Sequence, residues 1–231
     1  VDRQDILMRR QHPSGIFCRV IALLLGTFGT CLHADTSSET LTELLDQWSQ
    51  NSHSEMLDVK LMTRELDAQG NWRTAEPIPG RFRFNRSTSI ARLDRLSSPA
   101  QTYLIDGSTL IEREQGKPDK TSSLGPNQSL ATRLWIDSLP AFLLVGVDPK
   151  TLRRDFEIKS LRSSEREVQL FMYPQTRAAR EKYQRLEVRL SAEAKIAVEI
   201  HIVWKDNSHT FWAMIEPQTD VAIDADSLKA R

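Results

Sequence analysis

The chain has 231 residues, 39% hydrophobic and 27% charged, which is ordinary for a soluble globular protein. Its 31 basic and 31 acidic side chains balance, and no basic tract of the kind nucleic acids need is present, so nucleic-acid binding is not expected.

The first segment is read as a targeting sequence. Arg9 and Arg10 precede the apolar run VIALLLGTFGTCL (Val20–Leu32), and the small-residue end LHA (Leu32–Ala34) follows. Basic, then apolar, then small is the order of a secretory signal peptide, with cleavage after Ala34. The apolar run is short for a membrane span of roughly 20 residues, and a retained N-terminal anchor is the alternative. A lipoprotein reading through Cys31 is weaker, because FGTC lacks the usual small residue just before the cysteine. Met8 is a more natural start than Val1. Residues 1–34 are therefore set aside as signal peptide, and 35–231 are read as one periplasmic or cell-envelope domain, expected to be a monomer. Cys18 and Cys31 both leave with the signal, which removes disulfides, thiolate nucleophiles and cysteine metal sites. The remaining 27 basic and 29 acidic residues are about neutral, and the domain is long enough to be stabilised by its core alone.

The domain opens with a helix. Ser37 or Ser38 can cap it, and Leu41, Leu44, Leu45 and Trp48 form one apolar stripe at helical spacing. Such a stripe usually marks a packing helix. After Asn51 the period becomes two. MLDVKLMTREL (56–66) runs to a turn at Gly70 and Asn71, GRFRFNR (80–86) puts Phe82 and Phe84 on one face, and SIARLDRL (89–96) continues as a strand. TYLIDGSTLIERE (102–114) predicts a hairpin centred on Asp106-Gly107, since Asp-Gly supplies the positive φ of a tight turn. Residues 116–129 read as a surface loop, rich in Gly, Pro, Ser and Asn.

The middle is unusually apolar for a connector. SLATRLWIDSL (129–139) has helical spacing, Pro140 breaks or restarts it, AFLLVG (141–146) ends at Gly146, and DPKTLRRDF (148–156) opens a short helix with Asp148 as cap and Pro149 behind it. Strands return at 156–161, 167–174, 182–191, 196–204 and 209–217. Their short polar connectors predict an antiparallel meander. In IAVEIHIVWK (196–205), Ile196, Val198, Ile200, Ile202 and Trp204 alternate onto one face.

Catalytic constellations are mostly absent: no Gly-rich phosphate loop, no H-E-x-x-H and no G-x-S-x-G. His201 and His209 flank one turn, but no carboxylate cluster completes a metal site with them, and none is expected. Acids are interleaved with arginines in RELD (64–67), RLDR (92–95), IERE (111–114) and SEREV (164–168), the pattern of a charged outer sheet face. A hydrolase using two of these acids is a third class of reading, with nothing to select the pair. No cofactor is expected. Two short helices over about nine strands can leave an interior incompletely filled, the physical route to a ligand cavity, whereas a tightly curled sheet fills itself; the two alternate identically in sequence.

The order of elements resembles the LolA/LolB lipoprotein-carrier superfamily. PGRFRFNRSTSIARL (79–93), YLIDGSTLIERE (103–114), LPAFLLVGVDPKTLRRDFEI (139–158) and VQLFMYPQTRAAREKYQRLEVRL (168–190) are most similar to planctomycete LolA-like proteins. MIEPQTDVAID (214–224) is similar to the closing segment of bacterial carriers, with Thr219-Asp220 where these have a glycine region. The resemblance implies an α+β fold: an incomplete, half-open antiparallel β-barrel or strongly curved antiparallel sheet, with an N-terminal helix and a central helical lid insert at 129–147. It implies a hydrophobic cavity for a lipid or acylated lipoprotein, without catalysis. Candidate lining residues are Phe82, Phe84, Leu134, Leu139, Phe142, Leu143, Leu170, Met172, Leu186, Val188, Leu190, Val198, Ile200, Ile202 and Trp204, and Arg64 is the candidate lid contact. The alternative is an interaction or envelope-stress regulatory module of the same fold, with a filled core and an envelope protein partner.

Overall fold

A computed structural model describes residues 38–124, 135–136, 138–146, 148–162, 167–191, 193 and 196–230. The expected signal peptide, Leu134 and most of the expected helix at 129–139 lie outside them. The domain opens with helix α1 (Ser38–Ser52), which buries Leu45 and Trp48 and packs Leu41 and Leu44 at their margin, as the stripe predicts.

Among the described residues, eleven strands form one antiparallel sheet. The first six are β1 (Met56–Leu66), β2 (Ile78–Asn85), β3 (Ile90–Arg95), β4 (Gln101–Asp106), β5 (Thr109–Glu114) and β6 (Lys120–Ser123). The last five are β9 (Phe156–Arg162), β10 (Glu167–Pro174), β11 (Tyr183–Ser191), β12 (Ala197–Trp204) and β13 (His209–Thr219). Their spatial order is β6-β5-β4-β3-β2-β1-β13-β12-β11-β10-β9. The chain thus makes two meanders joined where β1 pairs with β13 (Leu61↔Met214, Thr63↔Trp212). The sheet ends at β6 and β9 and is not closed into a barrel, in keeping with a half-open curved sheet.

The pleat sorts the side chains. On β1, Leu57, Val59 and Leu61 are buried and Lys60 is exposed. On the opposite face Asp58 pairs with Arg81, and Asp94 with both Arg83 and Arg92. Cross-strand charge pairs of this kind account for the acids and arginines of the outer face. Burial alone would raise the Asp94 pKa, but hydrogen bonds from Arg92, Thr102 and Arg83 outweigh it and hold the carboxyl below its ordinary value.

Four local expectations are corrected. The 116–129 loop contains β6, paired with β5. Helical spacing at 129–139 gives way at its described end to a tight two-stranded pairing of β7 (Trp135–Ile136) with β8 (Leu139–Pro140), because Pro140 lacks the N–H a helix needs. A one-turn 3₁₀ segment (Ala141–Leu143) follows, then α2 (Pro149–Asp155), capped by Asp148 as expected. The connector after β10 holds a short helix, α3 (Arg177–Lys182), whose cap is Thr176. In β12 a bulge opposite Arg189 and Leu190 breaks the alternation, so Ala197 rather than Val198 lies beside Leu190 on the buried face. A final helix, α4 (Ala225–Lys229), lies against the outer side of the sheet, where Leu228 meets Ile90 and Leu104 in a second small core. Among the described residues no helix is long and apolar enough to cross a membrane.

Candidate functional site

The concave face is built from register-aligned rows. Leu170, Val188, Ile200, Trp212 and Thr63 run across β10, β11, β12, β13 and β1. Met172, Leu186, Ile202, Thr210 and Glu65 form the next row. On the other side, Val59, Phe82 and Leu93 continue across β1, β2 and β3, with Leu57, Phe84 and Ala91 beside them. Each row is apolar over most of its length, and the second turns polar at Thr210 and Glu65.

This face is occupied by the chain itself. Leu139, Ala141, Phe142, Leu143, Leu144 and Val145 are all buried in one cluster with Leu45 and Trp48 of α1 and the sheet rows. The expected lining residues Phe82, Phe84, Leu139, Phe142, Leu143, Leu170, Met172, Leu186, Val188, Leu190, Ile200 and Ile202 are brought together there, with Trp204 packed at the margin. Val198 is half-buried and stands outside the cluster. A small apolar opening of about 20 Å³ lies at the side of this cluster, between Leu57, Val59, Leu144, Ala197 and Met214.

Two features hold the segment down. Arg86 donates from Nε to the Ser54 carbonyl at 3.1 Å, and its Nη2 donates to the Val145 carbonyl, tying the end of the insert to the start of β1. Burial lowers the pKa of this guanidinium, with only a smaller opposing pull from Glu55. Gly146 has φ +79°, and an added Cβ would lie 3.1 Å from the His53 nitrogen and 3.2 Å from the Ser49 carbonyl oxygen. A residue with a side chain there would meet both αL strain and the backbone of α1.

Arg64 is not at the lid. It falls on the opposite face of β1, with its guanidinium 3.7 Å from the Trp72 ring centroid and a hydrogen bond to the Ala75 carbonyl. The residue that does contact the insert, Arg86, had a sequence signal: it continues the alternation Phe82, Phe84, Arg86, a cation on an apolar face.

Beside Arg64 on that outer face, Phe211 stacks on His201 with centroids 4.2 Å apart. His201 Nε2 lies 2.8 Å from His209 Nδ1, and His201 Nδ1 lies 3.2 Å from Glu187. Among the described residues no group of three or more His, Cys, Asp or Glu side chains is arranged to hold a metal.

At the polar end of the concave face a pocket of about 410 Å³ opens, lined by Glu65, Arg73, Ser138, Lys182, Trp204 and Thr210 among others. Trp204 marks the boundary: its Nε1 donates to Thr210 Oγ1 at 2.8 Å. Ser138, which immediately precedes β8, accepts from Trp212 Nε1 through its carbonyl.

No family model and no curated protein sequence matches this chain. Solved structures do. An uncharacterized conserved protein from Thermus thermophilus aligns with TM-score 0.52 and 11% identity over 83% of this chain and 94% of that one. MucB in the Pseudomonas aeruginosa MucA/MucB complex aligns with TM-score 0.46 and 13% identity over 83% of this chain and 61% of that one. A LolA superfamily protein from Nitrosomonas europaea aligns with TM-score 0.41 and 10% identity over 82% and 97%. The Thermus likeness establishes a shared fold and, at that identity, nothing about activity. At their scores the MucB and LolA superfamily likenesses add no argument.

Proposed function

We propose that this chain is an exported, non-catalytic carrier or sensor that binds a lipid or an acylated protein along its concave face. The segment Leu139–Gly146 is then a lid that occupies that face until the ligand displaces it. The observation that carries this reading is the lid's composition and placement: five large apolar side chains from an irregular segment, all buried against aliphatic sheet rows.

Magnitudes favour an exchange. Burying Leu139, Phe142, Leu143, Leu144 and Val145 contributes about 7–15 kcal/mol, at roughly 1.5–3 kcal/mol per side chain. One long acyl chain, at roughly 0.8 kcal/mol per methylene, offers on the order of 10 kcal/mol before ordering costs. The two occupants are matched, so neither state is inaccessible to the other. Loading and release need no bond chemistry, only a shift in that balance.

Hydrogen exchange with and without a long-chain fatty acid tests the reading. Amides of residues 141–146 are expected to exchange faster once the ligand is bound, while β10 and β11 keep or gain protection. Unchanged exchange across 141–146 with a bound ligand would refute the lid.

A second reading is favoured by the burial of Leu139 and Ala141–Val145 in the same core cluster as the sheet rows. If the filled face is permanent, the domain is an interaction module with an envelope protein partner, and no acyl ligand binds.

A further inference from the structure

The ligand-binding face is amphipathic, and its polar end carries more cations than acids. We propose that the pocket beside Trp204 binds an oxyanion, a phosphate or carboxylate headgroup, while the acyl chain of the same ligand runs under the lid. This rests on the lipid-binding reading and assigns the chemical class of the ligand's head.

Three cations line the pocket, Arg73, Lys182 and Lys205, against two acids, Glu65 and Asp206. Both acids have partners in the fold, and Arg73 is the partner of one of them. Glu65 Oε2 accepts from Arg73 at 3.1 Å, and Glu65 Oε1 from Arg95 at 3.3 Å. Asp206 accepts from the Ser208 backbone nitrogen at 2.9 Å and from its hydroxyl at 2.6 Å, and these bonds hold its pKa below the ordinary value. The two lysines are brought together because the Lys205 amide donates to the Lys182 carbonyl, 3.3 Å away. Although the Lys182 side chain as a whole is exposed, its place at the pocket wall costs it hydration and lowers its pKa. A neighbouring anion favours the charged form of such an ammonium.

The neutral groups agree. Ser138 lines this pocket, and its Oγ is enclosed with no hydrogen-bond partner among the described residues. Ser138 also stands directly before the lid residue Leu139, so a headgroup seated against it would touch the segment that must move. The apolar rows reach the same place: Met172, Leu186 and Ile202 lead to Thr210 and Glu65, and Trp204 stands at the junction. A volume of about 410 Å³ is enough for a headgroup.

The test titrates the whole domain with dihexanoyl phosphatidate, dihexanoyl glycerol and inorganic phosphate, following tryptophan fluorescence, in wild type and in the double variant Lys182→Gln, Lys205→Gln. Phosphatidate is expected to bind at least about 10-fold tighter than the glycerol, as charge-assisted hydrogen bonds require. The double variant should lose that preference and keep its affinity for the glycerol. Equal binding of the two lipids in wild type, or a preference that survives in the variant, overturns the headgroup site and leaves the lipid reading standing. Lysine-dependent binding of inorganic phosphate with no binding of either lipid supports the oxyanion site with free phosphate as its source, and overturns the lipid reading instead.

Discussion

Replacing Phe142 with alanine separates a lid from a permanent core. Phe142 is 2% exposed and sits in the cluster formed by the lid, α1 and the sheet. Truncating a buried phenylalanine to alanine costs about 3–5 kcal/mol, the lost transfer energy plus the void left behind. If the lid must leave the face before a ligand enters, that loss lowers the cost of displacement by the same amount. A loss of 3 kcal/mol then raises acyl affinity by up to about 100-fold, since each 1.4 kcal/mol is tenfold. Urea denaturation gives the stability, and titration with a fluorescent polyene fatty acid gives the affinity. Leu170→Ala, on the sheet wall and fully buried, is the contrast: it should lose stability and affinity together. A Phe142→Ala protein that loses stability with no gain in affinity would place Phe142 in a fixed core and refute the exchange.

Other perturbations probe the neighbouring contacts. Arg86→Gln removes the bonds to Ser54 and Val145, each worth about 1.5–3 kcal/mol for a charged donor, and should speed exchange at the Leu144 and Val145 amides at least about 10-fold while β11 is unchanged. Ile200→Asp places a charge at a fully buried position and should abolish folding or ligand uptake, whereas Glu199→Ala breaks its pair with Arg189 and should cost about 1 kcal/mol by denaturation. Burial, reinforced by His201 and Arg185 and opposed by Glu187, lowers the His209 pKa from 6.5. The unfolded chain then binds this proton more readily, so stability falls as pH drops below 6.5 toward the lowered folded value, and rises again with pH across the same window. His209→Gln should flatten that part of a stability-against-pH curve measured by urea midpoints.

The meanders were legible because an alternating strand carries its own face assignment: Leu186, Val188 and Leu190 are buried as their spacing requires. What failed was local or non-local in a definable way. Val198 departs from the alternation because one extra residue in β12 shifts the phase, and the bulge leaves no compositional mark in AVEI. The residue type of Arg64 suggests a lid contact, but its even position on β1 sets it opposite to Leu57, Val59 and Leu61. Arg86 was visible in the alternation of FRFNR, yet its partners, the Ser54 and Val145 carbonyls, come from distant segments that no local pattern pairs with it. The polar pocket was hidden for the same reason. Glu65, Ser138, Lys182 and Lys205 lie far apart in the chain and meet only through register across β1, β13, β12 and the end of α3.

The most direct measurement is native mass spectrometry of the protein exported to a bacterial periplasm and purified without detergent. The account predicts a population carrying a lipid-sized adduct, lost in Ile200→Asp if that variant folds and otherwise in Leu170→Ala. A clean mass that stays clean after incubation with phosphatidate vesicles or an acylated peptide would contradict it.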